Sequence, residues 1–227
     1  MSIRSEAFTW SAFPTTEVVL ERIALHLSAR PVRPVVTRSG HRARGRFPSV
    51  RFSQTRYESL VEEDALRVME LATLVVDCKS HPFVVRLTDT HTGKDFDYTP
   101  DQVLTLEDTT VLIEVKGDWL LKLDKPRVSL LRIARGLKQA GIPFAVLAEQ
   151  DIRANDLQGR LKEILMRRPV GARRMTTVDK SVWDPLCSSP PSAEDLRRWR
   201  EAQEECNALL RRVMGRDPED FVECCQE

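Results

Sequence analysis

The stretch that most constrains this chain is residues 98–117, YTPDQVLTLEDTTVLIEVKG. Val103, Leu104 and Leu106 read as one strand, residues 107–110 as a turn, and residues 111–115 as a second strand. β-Branched and apolar residues bounded by turn formers predict a β-hairpin. Side chains alternate across a strand, so Glu114 and Lys116 share one face while Ile113 and Val115 take the other. The apolar pair needs a core, which sends Glu114 and Lys116 toward a cleft or solvent. Asp101 enters at the start of the neighbouring arm. The hairpin thus gathers two carboxylates and one ammonium. Adjacent carboxylates repel, and a divalent cation relieves that cost. A lysine beside them can polarise a water or steady a phosphorane oxygen, which completes the parts needed for metal-assisted phosphodiester cleavage. The ordinary alternative is a hairpin with an exposed Glu/Lys pair on its wet face. The half-motif also recurs at Asp77-Cys78-Lys79, but only the copy at 114–116 follows Pro100-Asp101, the single Pro-Asp pair of the chain.

Around this hairpin the order is helix, three strands, helix, strand, helix, which predicts an α/β layer with a mixed sheet. Residues 16–29 read as a helix capped by Thr16 and stopped before Pro31. Prolines, glycines and arginines then alternate without a period to residue 56, as in an extended arm. Residues 1–57 hold ten arginines against three glutamates, although the 227-residue chain carries a net charge of only +1. A basic arm on a near-neutral chain suggests a polyanionic partner. Arg38, Arg42, Arg44, Arg46 and Arg51 are the candidate phosphate contacts, with a solvated arginine-rich loop as the alternative.

Residues 57–72 follow helical spacing through Val61, Ala65, Val68 and Ala72. Ser59 as N-cap with Glu62 three residues on is a capping box, so the Glu62 carboxylate either holds the helix start or serves the site. Residues 74–76 and 83–87 read as strands, 88–94 as a turn, 126–140 as a helix, 144–147 as a strand and 155–168 as a helix. A linker over 171–191 precedes a last helix, 193–214, capped by Ser192. Its stripe of Leu196, Trp199, Cys206, Leu210 and Val213 is either the lid of the core or a docking face for another chain.

No apolar run approaches the ~20 residues that span a bilayer, and the first residues lack the apolar centre of a signal peptide. The five cysteines (78, 187, 206, 224 and 225) are odd in number and show no zinc spacing. A reducing, cytoplasmic setting is the expectation.

The order of short segments carries further than any one motif. ESLVE on a helix is followed by DCKSHPF, YTPD, VLIEVK, a helix and PFAVLAEQDIR, with GRFPS ahead of them all. Over about residues 40–155 this resembles the TnsA-type endonuclease subunit of heteromeric transposases, within the PD-(D/E)xK nuclease class. Charge and spacing outside that stretch divide the chain into three regions: 1–56, helix and basic N-terminal arm; 57–155, nuclease core; and 156–227, a helical C-terminal extension with linker and partner-docking helix. The resemblance implies a restriction-endonuclease-like fold, an α/β mixed sheet flanked by helices. It also implies cleavage of one strand at each transposon end, beside a separate transposase subunit and an AAA+ ATPase regulator. Glu62, Asp101, Glu114 and Lys116 fall at the family's catalytic positions. Asp101, Glu114 and the Val115 carbonyl would hold Mg²⁺ or Mn²⁺, with Glu62 completing the site through water or a second ion. Leu196, Trp199, Leu210 and Val213 would dock the partners. Three positions depart from the family pattern: Gln102 replaces an apolar residue, Ser80-His81-Pro82 stands where a glutamine–proline pair is common, and Glu114 provides a carboxylate where some members use an amide. A free-standing restriction or repair nuclease, and a non-catalytic DNA-binding assembly module, are the alternatives.

Overall fold

Alternation of apolar side chains along the strands gives this protein two cores, one on each face of a single sheet. The computed structural model describes residues 43–89, 94–167 and 191–217. Four strands form the sheet: β3 (Asp77–Ser80), β6 (Gln102–Thr105), β7 (Thr110–Lys116) and β8 (Phe144–Ala148), in the order β3-β6-β7-β8. The first two pairings are antiparallel and β7–β8 is parallel, so the sheet is mixed. Two small ribbons stand apart, β1 (Gly45–Arg46) with β2 (Arg56–Tyr57), and β4 (Val85–Asp89) with β5 (Lys94–Tyr98). The helices are α1 (Leu60–Leu71), α2 (Asp118–Leu121), α3 (Asp124–Gln139), α4 (Glu149–Ile152), α5 (Leu157–Met166) and α6 (Ala193–Met214).

Cys78, Leu104, Val111, Ile113, Val115, Ala145 and Leu147 point to one face and pack with α1, α5 and α6. Val103, Leu112, Phe144, Val146 and Ala148 point to the other and pack with α3 and the β4–β5 ribbon. The molecule is therefore an α/β protein with helices on both faces of a mixed sheet. The β6–β7 hairpin forms in the register that alternation requires, Gln102 opposite Ile113 and Thr105 opposite Thr110. Neither of its faces is wet. Leu112 lies in the second core, and Glu114, two residues on, is itself buried.

Several expectations need correction. The strand foreseen at 74–76 lies at Asp77–Ser80. The apolar run misled, because Val76 is exposed, while the charged-looking segment after it alternates inward with Cys78 and Ser80. Arg51, foreseen as a phosphate contact, is buried. Its guanidinium donates to the carbonyls of Met69 (3.2 Å), Glu70 (2.8 Å), Ala72 (2.8 Å) and Val75. A helix end leaves carbonyls without partners and carries partial negative charge, and an arginine satisfies both. The segment before α1 is thus tied to the core rather than extended. In it Gly45 lies under Tyr57, whose Oη would stand 2.6 Å from any Cβ added there.

Leu210 and Val213, foreseen as docking residues, are also corrected. Both are fully buried with Cys206, Ala202 and Leu209 in the core that α1 and α5 share. Asn207 fixes α6 further, accepting the Leu74 N–H (3.1 Å) and donating to Thr73 Oγ1 (2.8 Å). The helix closes the core, and only Leu196 and the half-buried Trp199 at its N-terminal half reach a surface cleft against α5. The helix at 16–29, Arg38, Arg42 and all of the linker but its last residue lie outside the described residues. Among the described residues no helix is long and apolar enough to cross a membrane. Cys78 and Cys206 are free and buried.

Candidate active site

Pairing beyond the ends of the strands builds the site. One step past the Ser80–Gln102 pair, the His81 N–H donates to the Asp101 carbonyl (3.1 Å). One step past the Gln102–Ile113 pair, Asp101 comes abreast of Glu114, and its Oδ2 accepts the Val115 N–H (2.9 Å). His81, Asp101 and Glu114 thereby form a row across three neighbouring strands. Lys116 follows on the Glu114 side of β7, with Nζ against Glu114 Oε1 and 3.7 Å from Asp101 Oδ2. Tyr98, at the end of β5, donates to Glu114 Oε2 (2.6 Å). Both oxygens of Glu114 are therefore occupied, one by an ammonium and one by a phenol.

Glu62 arrives from the first turn of α1. Its Oε2 accepts the Glu58 N–H (2.8 Å), its Oε1 accepts the Ser59 hydroxyl (3.0 Å), and its own N–H donates to Ser59 Oγ (3.2 Å). Capping and site membership are not exclusive. The same Oε2 lies 3.9 Å from His81 Nε2, which is 3.7 Å from Asp101 Oδ1. Glu62, His81 and Asp101 each offer a ligand atom, all within 4.8 Å of one another.

Charge here is crowded and shielded from water. Burial and the neighbouring Asp101 push the Glu62 carboxyl up to about 7, against its hydrogen bonds from Glu58 and Ser59. Burial and Asp101 likewise push Glu114 up to about 6, although Lys116 and Tyr98 oppose this. Burial would raise Asp101 as well, but Lys116, His81 and the Val115 N–H outweigh it and hold Asp101 below its ordinary range. Burial lowers Lys116, and the carboxylates of Glu114 and Asp101 more than reverse that. Lys116 is thus a fixed cation, suited to stabilising negative charge and not to accepting a proton. Its side chain is also the most exposed of the four, at 25%, so the site meets solvent at the ammonium.

All four residues foreseen as catalytic come together, Glu62 included. Two contributors were missed. Tyr98 stood inside the YTPD segment but carried no motif of its own, and His81 was noted only as a departure from a pattern. Gln102, another departure, is buried on the opposite face, where Ser80 (2.9 Å) and Cys78 (3.5 Å) donate to its Oε1. Of the arginines foreseen to meet DNA, Arg44 is half-buried and Arg46 exposed on β1. The residues present suit a divalent cation. Two buried carboxylates face a buried histidine, neither of whose ring nitrogens has a hydrogen-bond partner. No protein-family model matches this chain, and no curated protein matches it either.

Proposed function

We propose that this protein is a divalent-metal-dependent DNA endonuclease with a restriction-endonuclease-like core, and that it serves as the strand-cutting subunit of a heteromeric transposase. One observation carries the reading: a helical glutamate, a strand-leading aspartate and a Glu-x-Lys pair on the next strand converge on one pocket. Three carboxylates against one ammonium leave excess negative charge, which a cation would offset. Glu62 and Asp101 would hold Mg²⁺ or Mn²⁺, with Glu114 and the Val115 carbonyl beside them. A bound ion supplies an acidified water and withdraws charge from the scissile phosphate. Lys116 presents its ammonium to the phosphate at the exposed rim, and Tyr98 holds Glu114 in orientation. Without an ion the Glu62 carboxyl stands near 7, so binding a cation at neutral pH would displace a proton from it. Exposed Arg46 and the arginines before it would contact the DNA backbone.

The test is cleavage of supercoiled and transposon-end DNA by the purified full chain with Mg²⁺ or Mn²⁺, with and without its transposase and ATPase partners. Cutting only in their presence is the expected outcome. Cutting alone points to a free-standing nuclease, and no cutting in any combination sinks the endonuclease reading.

A further inference from the structure

His81 is the one member of the site whose side chain no hydrogen bond holds. It is completely buried, yet neither Nδ1 nor Nε2 has a hydrogen-bond partner, whereas buried polar groups are ordinarily paired. Nε2 points between Asp101 Oδ1 and Glu62 Oε2, at 3.7 Å and 3.9 Å. Both separations are too long for hydrogen bonds. Both are short enough for one ion to touch either pair, since atoms each ~2.1 Å from a metal lie at most about twice that distance apart. The backbone at His81 has φ of 47°, in the left-handed region that few residues besides glycine, asparagine and aspartate adopt readily and that persists where the surroundings demand it. Asp101 divides its oxygens accordingly, Oδ2 turned to Val115 and Lys116 and Oδ1 turned to His81.

We infer that His81 is a direct metal ligand, and that Glu62, His81 and Asp101 form a mixed carboxylate–imidazole site that prefers first-row transition ions to Mg²⁺. An imidazole nitrogen suits Mn²⁺, Co²⁺ and Zn²⁺, whereas Mg²⁺ takes oxygen ligands and gives up its waters reluctantly. Affinity at such a site rises from Mn²⁺ through Co²⁺, and Zn²⁺ also lies above Mn²⁺. The inference rests on reading this pocket as a metal centre and adds which ion it selects.

The test is binding to the tag-free full chain. The free aqueous Mn²⁺ signal in electron paramagnetic resonance gives the Mn²⁺ affinity, and displacement by Mg²⁺ gives the Mg²⁺ affinity in the same sample. Mn²⁺ is expected to bind at least about tenfold tighter, and His81→Asn to remove most of that ratio by weakening Mn²⁺ about tenfold. Asparagine is chosen because it tolerates the left-handed backbone. Pulsed measurements on the Mn²⁺-loaded wild-type chain should show coupling to an imidazole nitrogen, a readout that stands even if the variant does not fold. A wild-type ratio near one, a ratio unchanged in His81→Asn, absent nitrogen coupling, or no ion held at all would each overturn the inference. DNA cleavage is not among these readouts. A chain that holds Mn²⁺ through His81 yet never cuts DNA supports the ion preference and refutes the nuclease. A chain that cuts with Mg²⁺ and shows no dependence on His81 does the reverse.

Discussion

The first two turns of α1 carry two buried carboxylates with opposite fates. Asp64 faces two guanidinium groups: Arg67 contacts Oδ1, and Arg153 donates to Oδ2 (2.8 Å). Asp151, buried under α6, is held by Arg212 (3.3 Å) and Arg216 (3.1 Å) in the same way. Glu62, two residues before Asp64, joins Asp101 and Glu114 around a single ammonium, beside an unpartnered histidine. Asp64 and Asp151 are each held between two guanidinium groups, with Arg67 and Arg153 bridging on to Glu63 and Glu149, whereas the site has one ammonium for three carboxylates. Buried charge that is fully paired serves the fold, because removing either partner strands the other. Buried charge left in excess is what a site for a cation requires, and perturbed carboxyls mark such places.

The largest expected effect follows from that contrast. Asp101→Asn should lower cleavage by about a hundredfold or more, because it removes an anionic ligand and one of the two carboxylates beside Lys116. Its melting temperature in the absence of metal should stay near that of the wild type. Cleavage at the wild-type rate would show that the pocket is only another structural ion cluster.

Asp64→Asn should do the opposite. It leaves the nearly buried Arg67 with Glu63 alone and the partly solvated Arg153 with Glu149. A loss of about 1 kcal/mol in urea unfolding is expected, below the full cost of breaking a buried pair because both arginines keep a carboxylate partner. Cleavage by the folded fraction should be unchanged. If cleavage fell while stability held, the matched cluster would belong to the site as well.

The pH dependence of stability separates the two kinds of charge next. Glu62 and Glu114 bind protons more tightly when folded than when unfolded, with carboxyls near 7 and near 6 against ordinary values of 4.5. Stability without metal should therefore be greatest at the acid end and fall as pH rises from 4.5 toward 7. Asp101 pulls the other way, since its depressed carboxyl loses its contribution only as pH falls below the usual aspartate range. A net decline of several kcal/mol between pH 5 and 8 is expected, flattened in Glu62→Gln. Added Mn²⁺ should offset it. A rise in stability over that interval would mean that the carboxylates are better compensated than the pocket indicates.

How much of this was legible in the sequence depends on the range over which each feature is fixed. The hairpin and its Asp101–Glu114–Lys116 geometry follow from alternation and a tight turn, which are local. The capping role of Glu62 was legible through its capping box, also local, whereas its place in the site came only from the family resemblance. His81 was not, because its place depends on pairing with Asp101 across the sheet. Arg51 was hidden among similar arginines, and its burial is decided by carbonyls at the far end of α1. The α6 stripe had a readable period, but periodicity does not say what lies opposite, and here α1 and α5 do.

The smallest effect tests the boundary between the two classes of carboxylate. Glu62 belongs to both, since it receives the Glu58 N–H and the Ser59 hydroxyl while facing Asp101 and His81. Ser59→Ala removes the cap but no charge, and should cost about 1 kcal/mol with cleavage retained. Glu62→Gln keeps an oxygen for one of the two donors and removes the negative charge. It loses favourable interaction with the helix N-terminus, worth about 0.3–1 kcal/mol at an exposed site. It also relieves repulsion with Asp101, the second cause of the raised Glu62 carboxyl after burial. Burial and that repulsion outweigh the hydrogen bonds to the carboxylate, so the melting temperature at pH 8 should rise modestly while cleavage and Mn²⁺ affinity fall together. Equal melting shifts with full activity in both variants would make Glu62 a cap alone. It would then stand with Asp64 among the residues that serve the fold, and the pocket would be reduced to one helix-free row of strand residues.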